Sequence, residues 1–286
     1  MKSIGLVDYY ISEWHANNYP VWIRELCEAS GAEFCVEYAW AEEFVAPDGR
    51  NTDEWCREFG VEKCDTVEEL CEKADYILVL APSNPEKHLA YAQKVLPYRK
   101  HTYIDKTFAP DYATAKAIFD LAEQYGTKLF SSSALRYATE LDELQDSDAI
   151  LVMGGGNPIE EYIIHPTEML VKLAAAHPLA VKVEKQGVNQ YLCRVTFEQG
   201  KNGVIIFGRS LPFAAGAENE LGRTIWKDIK SDFFKGLLAD ILCFYETGEV
   251  SFDCAQTLDV IQIREAVILG KQRLGEWITL EKEINI

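Results

Sequence analysis

Apolar and polar positions follow two rhythms along this chain. Up to residue 133, short apolar runs alternate with segments of helical period. "KSIGLV", "EFCVEY", "YILVLA", "HTYID" and "KLFSSS" read as strands. "YILVLA" is apolar throughout, as a strand covered on both faces should be. Five helical patterns lie among them. The first runs from about Pro20, with Asn17 or Asn18 as cap and Gly31 as stop. "TDEWCREFG" ends at Gly60, and Thr66 with Glu69 forms a capping box for the next helix. "PEKHLAYAQKVL" and the Pro-started "PDYATAKAIFDLAEQYG" complete the set. Strands alternating with helices imply right-handed crossovers and a parallel sheet covered on both faces. Residues 1–134 are therefore expected to form a Rossmann-like, doubly wound α/β domain.

After Tyr137 the rhythm changes. "AILVMGGG" reads as a strand and "PIEEYIIHPTEMLVKLAAA" as one long helix. "AVKVEKQG", "QYLCRVTFEQG" and "GVIIFGRS" are strand-like, the last two joined by a hairpin-like connection at Lys201-Asn202. Two helices, "DFFKGLLADILCFYE" and "AQTLDVIQIREAVILGKQRLG", precede a final strand, "EWITLEK". Residues 135–286 are expected to form an α+β domain with a largely antiparallel open sheet, the boundary falling near residues 134–137.

With 286 residues, 48% of them hydrophobic, the chain can bury a substantial core. No apolar run approaches the ~18 residues a membrane helix needs. "MKSIGLVDYY" lacks the pattern of a signal peptide, so a cytoplasmic protein is expected. A net charge of -18 repels phosphate backbones and argues against nucleic-acid partners. The eight cysteines form no C-x-x-C, and no Cys/His cluster has zinc spacing. Buried or idle thiols and no metal site are the expectation.

Three polar segments fall at strand ends, where open α/β sheets bind ligands: "LAPSNPEKH", "DKT" and "SSSALRY". In order and spacing they resemble the Gfo/Idh/MocA oxidoreductases. The counterparts of that family's motifs are Pro82 and His88, Lys100 and His101, the triplet Asp105-Lys106-Thr107, and Arg136-Tyr137. "EYIIHPTEML" resembles the family's Asp-x-x-x-His signature, with Glu161 in the Asp place and His165 in the His place. The resemblance covers essentially the whole chain. It implies NAD or NADP in the first domain and a sugar-like or polyol substrate in a cleft between the domains. It also implies a homodimer or homotetramer through the open sheet face. Lys106 becomes the catalytic-site lysine, His165 the acid/base and Glu161 the carboxylate that orients it. Ala81, Pro82, Asn84 and Asp105 fall on the cofactor side, and Arg136 and Tyr137 line the substrate site. The chemistry is coherent. Removing a hydroxyl proton suits an imidazole titrating near neutrality, and an ammonium stabilises the developing alkoxide.

The first strand–helix turn departs from the family. A dinucleotide fold places G-x-G-x-x-G there, so that backbone amides approach the pyrophosphate. In "GLVDYYISEWHANNYP", alignment on His15-Ala16 puts Val7, Tyr9 and Ser12 at the three glycine places. The place of the acidic residue that bonds the ribose falls near Ala39, and the family's Glu-Lys-Pro is here Asp105-Lys106-Thr107. Two readings follow. One is an NAD(P)-dependent oxidoreductase with a rebuilt cofactor loop. The other is a relative that has lost dinucleotide binding and acts as a ligand-binding or regulatory protein or a non-redox enzyme. Loop amides facing an open crevice favour the first; Tyr9, Tyr10 or Trp14 filling it favours the second. Glu161, His165, Glu168 and Lys172 would also suit a solvated helix face. Pro166 within that stripe marks a kink or a helix start near His165.

Overall fold

A computed structural model describes residues 1–144, 147–218 and 221–280. They form two compact units. The first comprises Met1–Ser131 with Leu237–Phe252, the second Ser132–Gly236 with Asp253–Ile286.

The first unit is built in the order β1 (Lys2–Tyr10), α1 (Trp14–Ser30), β2 (Phe34–Glu43), α2 (Thr52–Phe59), β3 (Glu62–Lys63), α3 (Val67–Lys73), β4 (Tyr76–Val79), α4 (His88–Val95), β5 (Thr102–Ile104), α5 (Tyr112–Tyr125) and β6 (Leu129–Phe130). The strands lie in the order β3-β2-β1-β4-β5-β6, and every pairing is parallel. This is the doubly wound sheet that the alternation predicts, with its switch point between β1 and β4. Gly31, Gly60 and Gly126 end α1, α2 and α5 at positive φ, as the stop signals require. Thr66 Oγ1 accepts from Glu69 N at 3.0 Å, while the Glu69 carboxylate reaches one residue further back, to Asp65 N. Helix α5 is capped by Asp111, just past Pro110. Helix α1 begins earlier than the pattern suggests. Its cap is Glu13, neither Asn17 nor Asn18, and Pro20 lies inside it.

The second unit contains β7 (Ala149–Gly154), α6 (Ile159–Tyr162), α7 (Ile164–Ala174), β8 (Pro178–Gly187), β9 (Gln190–Phe197), β10 (Asn202–Gly208), β11 (Ala214–Glu218) and β12 (Thr224–Asp228). Then come α8 (Phe233–Thr247), α9 (Ala255–Gly270) and β13 (Trp277–Thr279). The last two residues of "EWITLEK" lie outside the described residues. From Leu237 onward, α8 belongs to the first unit. There the Tyr245 hydroxyl donates to Ile77 O at 2.7 Å, and His101 Nδ1 donates to Tyr245 O at 3.0 Å. The seven-stranded sheet runs β12-β11-β7-β10-β9-β8-β13. β7 and β10 pair in parallel and the remaining pairs are antiparallel, so the sheet is largely antiparallel as expected. Helices α7 and α9 pack against it.

Two features of this unit correct the sequence reading. The expected single long helix is broken at Ile163 into α6 and α7. The physical cause is Pro166, which has no N–H to offer the Tyr162 carbonyl one turn back. The hairpin of β11 and β12 is absent from the hydrophobic pattern. β11 is made of small residues, "AAGAE", and β12 alternates on an exposed edge. Gly216 accommodates the Trp226 ring, which a Cβ there would meet at 2.7 Å.

Candidate functional site

In the first unit the polar groups gather at the carboxyl ends of the central strands. β4 ends at Val79, opposite Val7, whereas β1 continues through Asp8, Tyr9 and Tyr10 and keeps pairing with β2 as far as Glu43. The residues at two of the three glycine places, Val7 and Tyr9, are thus strand residues, and Ser12 lies just beyond the strand.

Asp8 is fully buried. Its Oδ1 accepts from Tyr9 N at 2.7 Å and Ala81 N at 3.0 Å. Its Oδ2 is buried with no hydrogen-bond partner among the described residues. Burial, with the charges of Glu13 and Asp105 nearby, pushes the Asp8 carboxyl well above the usual range. Glu13 Oε1 accepts from both His15 N and Ala16 N at 3.1 Å, so the first turn of α1 is capped by the protein's own carboxylate. Burial raises the Glu13 pKa as well, partly offset by His15. His15 Nδ1 donates to Asp105 Oδ2 at 2.5 Å, and its ring stacks on Tyr19. Burial alone would raise the Asp105 pKa; the His15 charge and hydrogen bond, with Lys106 adjacent, hold it below the usual value instead.

Ser12 is buried inside a further network. Its hydroxyl donates to Asp48 at 2.7 Å and accepts from Arg50 Nε at 2.8 Å. Arg50 also donates to Asn17 Oδ1, which accepts in addition from Trp55 Nε1. The segment after β2 is thereby tied down over the β1–α1 turn. Trp14 is exposed, and the half-buried Tyr9 and Tyr10 pack edge-to-face on each other. The turn's interior is taken by carboxylates and a serine rather than by aromatic rings.

A dinucleotide's pyrophosphate needs free amides at the helix N-terminus and room for close backbone approach. Here the amides of His15, Ala16, Tyr9 and Ala81 are already bonded to Glu13 and Asp8, both acidic. Ala39, which the sequence reading sets near the ribose place, is fully buried inside β2, and the strand runs on to Glu42 and Glu43. The residues as placed do not fit a pyrophosphate.

Lys106 leaves β5 half-buried and donates from Nζ to Pro82 O at 3.3 Å; the Lys106–Thr107 peptide is cis. Ala81 holds a left-handed φ of 54°, a conformation that favours glycine and concentrates at functional turns. Its carbonyl accepts from Asn84 N. His88 is buried between Phe108 O at 2.9 Å and Leu80 O at 2.7 Å and pins the start of α4 to the strand ends; burial lowers its pKa. Ala81, Pro82, Asn84, Asp105 and Lys106 are thus gathered in one region by the ends of β4 and β5.

In the second unit His165 Nδ1 and Ser133 Oγ are hydrogen-bonded at 2.8 Å. The imidazole lies between the rings of Tyr162 and Phe213. Ser133 N donates to Glu168 Oε2 at 3.0 Å, and Arg136 Nε donates to Glu168 Oε1 at 2.5 Å. Arg136 also donates to Gln256, and Lys172 donates to Arg136 O and Asp142. Glu168 is buried, so this stripe is not a solvated helix face. His165 and Arg136 therefore share a framework, Ser133 and Glu168. Tyr137 OH accepts from Ser132 Oγ at 3.3 Å. Glu161 sits on α6, across the break at Ile163 from His165.

Asp8, Glu13 and Ser133 escape the motif-based reading, which uses His15 only to align the turn and Glu168 only as part of a polar helix stripe. Asp8 carries a signal, a charge at the end of an apolar strand. Glu13 and Ser133 carry none until the helix start and the His165 ring are placed in space. Among the described residues no cluster of His, Cys, Asp or Glu could hold a metal ion, and no helix is long and apolar enough to cross a membrane.

The fold defines an α/β protein whose first unit is a doubly wound parallel sheet and whose second carries a largely antiparallel one. Residues 39–133 match the Gfo/Idh/MocA model, an oxidoreductase family with an NAD-binding Rossmann fold. Among solved structures, the chain is similar to a probable dehydrogenase from Thermotoga maritima (12% identity, 97% of this chain and 98% of that one, TM-score 0.79). It is similar to myo-inositol dehydrogenase from Lactobacillus casei, solved with NAD(H) and myo-inositol (11%, 100% and 98%, TM-score 0.78). It is also similar to an aldose–aldose oxidoreductase from Caulobacter crescentus, solved with glycerol (12%, 98% and 99%, TM-score 0.73). At such identities the likeness is one of fold. No curated protein sequence matches the chain.

Proposed function

We propose that this protein handles a sugar-like or polyol molecule, with Lys106 and His165 acting on its reacting oxygen, the lysine by charge and the histidine as acid/base, and Glu161 in support. The observation that carries the proposal is the placement of Lys106. It is half-buried at the exit of β5, and its amine donates to the Pro82 carbonyl at 3.3 Å. An ammonium held there can transfer to a ligand oxygen and stabilise negative charge on it. His165, oriented by Ser133, has the chemistry of an acid/base near neutral pH. Arg136 and Tyr137 are proposed to support the substrate side. Neighbours of the same fold are polyol and aldose enzymes, which motivates the ligand class.

The family match supports NAD(P)-dependent oxidoreduction of that ligand. The second reading, in which dinucleotide binding has been lost and the same residues serve binding or a non-redox step, is favoured by the self-capped turn at Glu13. A homodimer is proposed as well, formed through the open face of the second sheet. Leu151, Met153, Leu192, Val204 and Ile206 form a half-buried apolar strip there across adjacent strands.

Thermal denaturation against a panel of polyols and aldoses, beginning with myo-inositol, tests the ligand class. A ligand at a hundred times its Kd stabilises by about 2.7 kcal/mol, a rise of several degrees in Tm. The rise should disappear in Lys106→Met while the ligand-free Tm stays close to wild type. A panel that moves Tm nowhere would remove the reading.

A further inference from the structure

The first helix of a doubly wound fold presents free N–H groups and a positive dipole end to a bound phosphate. In this chain both features exist in the backbone, since α1 is a regular helix that starts directly after the β1 turn. They are consumed internally. Glu13 Oε1 takes the amides of His15 and Ala16, and Asp8 Oδ1 takes those of Tyr9 and Ala81. Asp8 is fully buried and its second oxygen has no partner among the described residues. An ordinary buried polar atom would be bonded, so Asp8 is not explained as part of the packing alone. The titratable groups around the seat are Asp8, Glu13 and Asp105 on the acidic side and His15 and Lys106 on the basic side.

We infer that the Asp8 and Glu13 carboxyl groups substitute internally for a bound anion, a lock that holds the amides of the pyrophosphate seat in cis. Dinucleotide is excluded by carboxylates that already hold the seat's amides, not by loss of the helix that forms it. The inference deepens the second reading above. It carries a consequence that simple degeneration does not, because neutralising and uncapping the turn should restore anion binding.

The test uses the full-length chain with two probes, NADH followed by nicotinamide fluorescence and inorganic pyrophosphate followed by calorimetry. Wild type should show no saturable binding of either at millimolar concentration. The double variant Asp8→Asn/Glu13→Gly frees the His15 and Ala16 amides and should bind both probes at least about tenfold tighter than wild type. Asp8→Asn/Glu13→Gln keeps the helix cap and removes only charge. It should show a smaller gain, and it decides the matter if the glycine variant does not fold by circular dichroism. Saturable NADH binding to wild type, displaced by pyrophosphate, would overturn the inference. So would folded variants that bind no tighter than wild type. The polyol melting experiment is independent of both probes, so a failure there sinks the ligand proposal and leaves the carboxyl lock standing.

Discussion

Asp8, near the end of β1, and Asp105, just after β5, stand on strands separated by β4, yet their carboxyls are displaced in opposite directions, and stability should follow each in its own way. The Asp8 pKa is raised in the folded protein. Its unfavourable contribution is absent below the unfolded carboxylate value and grows as pH rises above it. Asp8→Asn keeps the acceptor for Tyr9 N and Ala81 N and removes the charge. It should stabilise the protein at pH 7, and the gain should fade as pH drops below the unfolded carboxylate range. Paired urea titrations at pH 7 and below that range measure it. The Asp105 pKa is depressed. Its favourable contribution is present above the unfolded value and is lost as pH falls through the folded one, so Asp105→Asn should be destabilising at pH 7. Glu168 offers a plainer case. It is buried against Arg136, and Glu168→Ala would strand a buried guanidinium at a cost of about 3–5 kcal/mol. The urea midpoint would fall accordingly, and an unchanged midpoint would show that the ion pair is not structural. The cysteines match the reading of the sequence in the main. Cys71 and Cys193 are buried and their thiols are pushed up to about 12 by burial, which leaves little thiolate to react. Cys243 alone is exposed.

Where elements pack, glycine and proline carry much of the information, and the chain shows it unevenly. Gly5 lies inside β1 because α3 crosses it closely. A Cβ there would meet Leu70 Cδ2 at 2.4 Å and Ala74 Cβ at 3.0 Å. Gly5→Ala should cost about 1–3 kcal/mol through overpacking, read as a lower Tm with no change in far-ultraviolet circular dichroism. Helix α7 ends on Ala175 at a φ of 45°, where a glycine is preferred. Ala175→Gly should raise stability by about 0.5–1 kcal/mol, and a drop would mean that the alanine side chain packs usefully. Stop signals were readable as Gly31, Gly60 and Gly126 because a left-handed residue is a local requirement. The start of α1 was not readable, since Asn17 and Asn18 are better caps on general preference than Glu13. Asn17 is instead drawn into the bonds with Arg50 and Trp55, which no local pattern contains.

For the molecule as a whole, strand order and layer arrangement follow from the alternation of strands and helices, and the parallel six-stranded sheet agrees with it. The open face of the second sheet bears on association. If the strip of Leu151, Leu192, Val204 and Ile206 closes on a second copy, Leu192→Asp combined with Ile206→Lys should convert a dimer to a monomer in sedimentation velocity. A wild type that sediments as a monomer would remove the dimer proposal. The net charge of -18 gives a further expectation. Self-repulsion is screened by salt, so Tm should rise between low ionic strength and about 0.15 M, and duplex DNA should not be retained in a gel-shift assay at either.

Much of this protein can be read from residue order, because period, caps and turn residues act over a few positions and bury apolar surface in only one arrangement. That covers the doubly wound sheet, the largely antiparallel second sheet, the strand-end location of Lys106 and the absence of a glycine loop. What fills the place of that loop is another matter. Glu13 bonds to amides two and three residues on, but Asp8 reaches Ala81, His15 reaches Asp105, and Ser133 reaches both His165 and Glu168. These contacts join residues far apart in the chain. Their bonds and charges take effect only once folding has brought them within a few ångströms and removed the water between them.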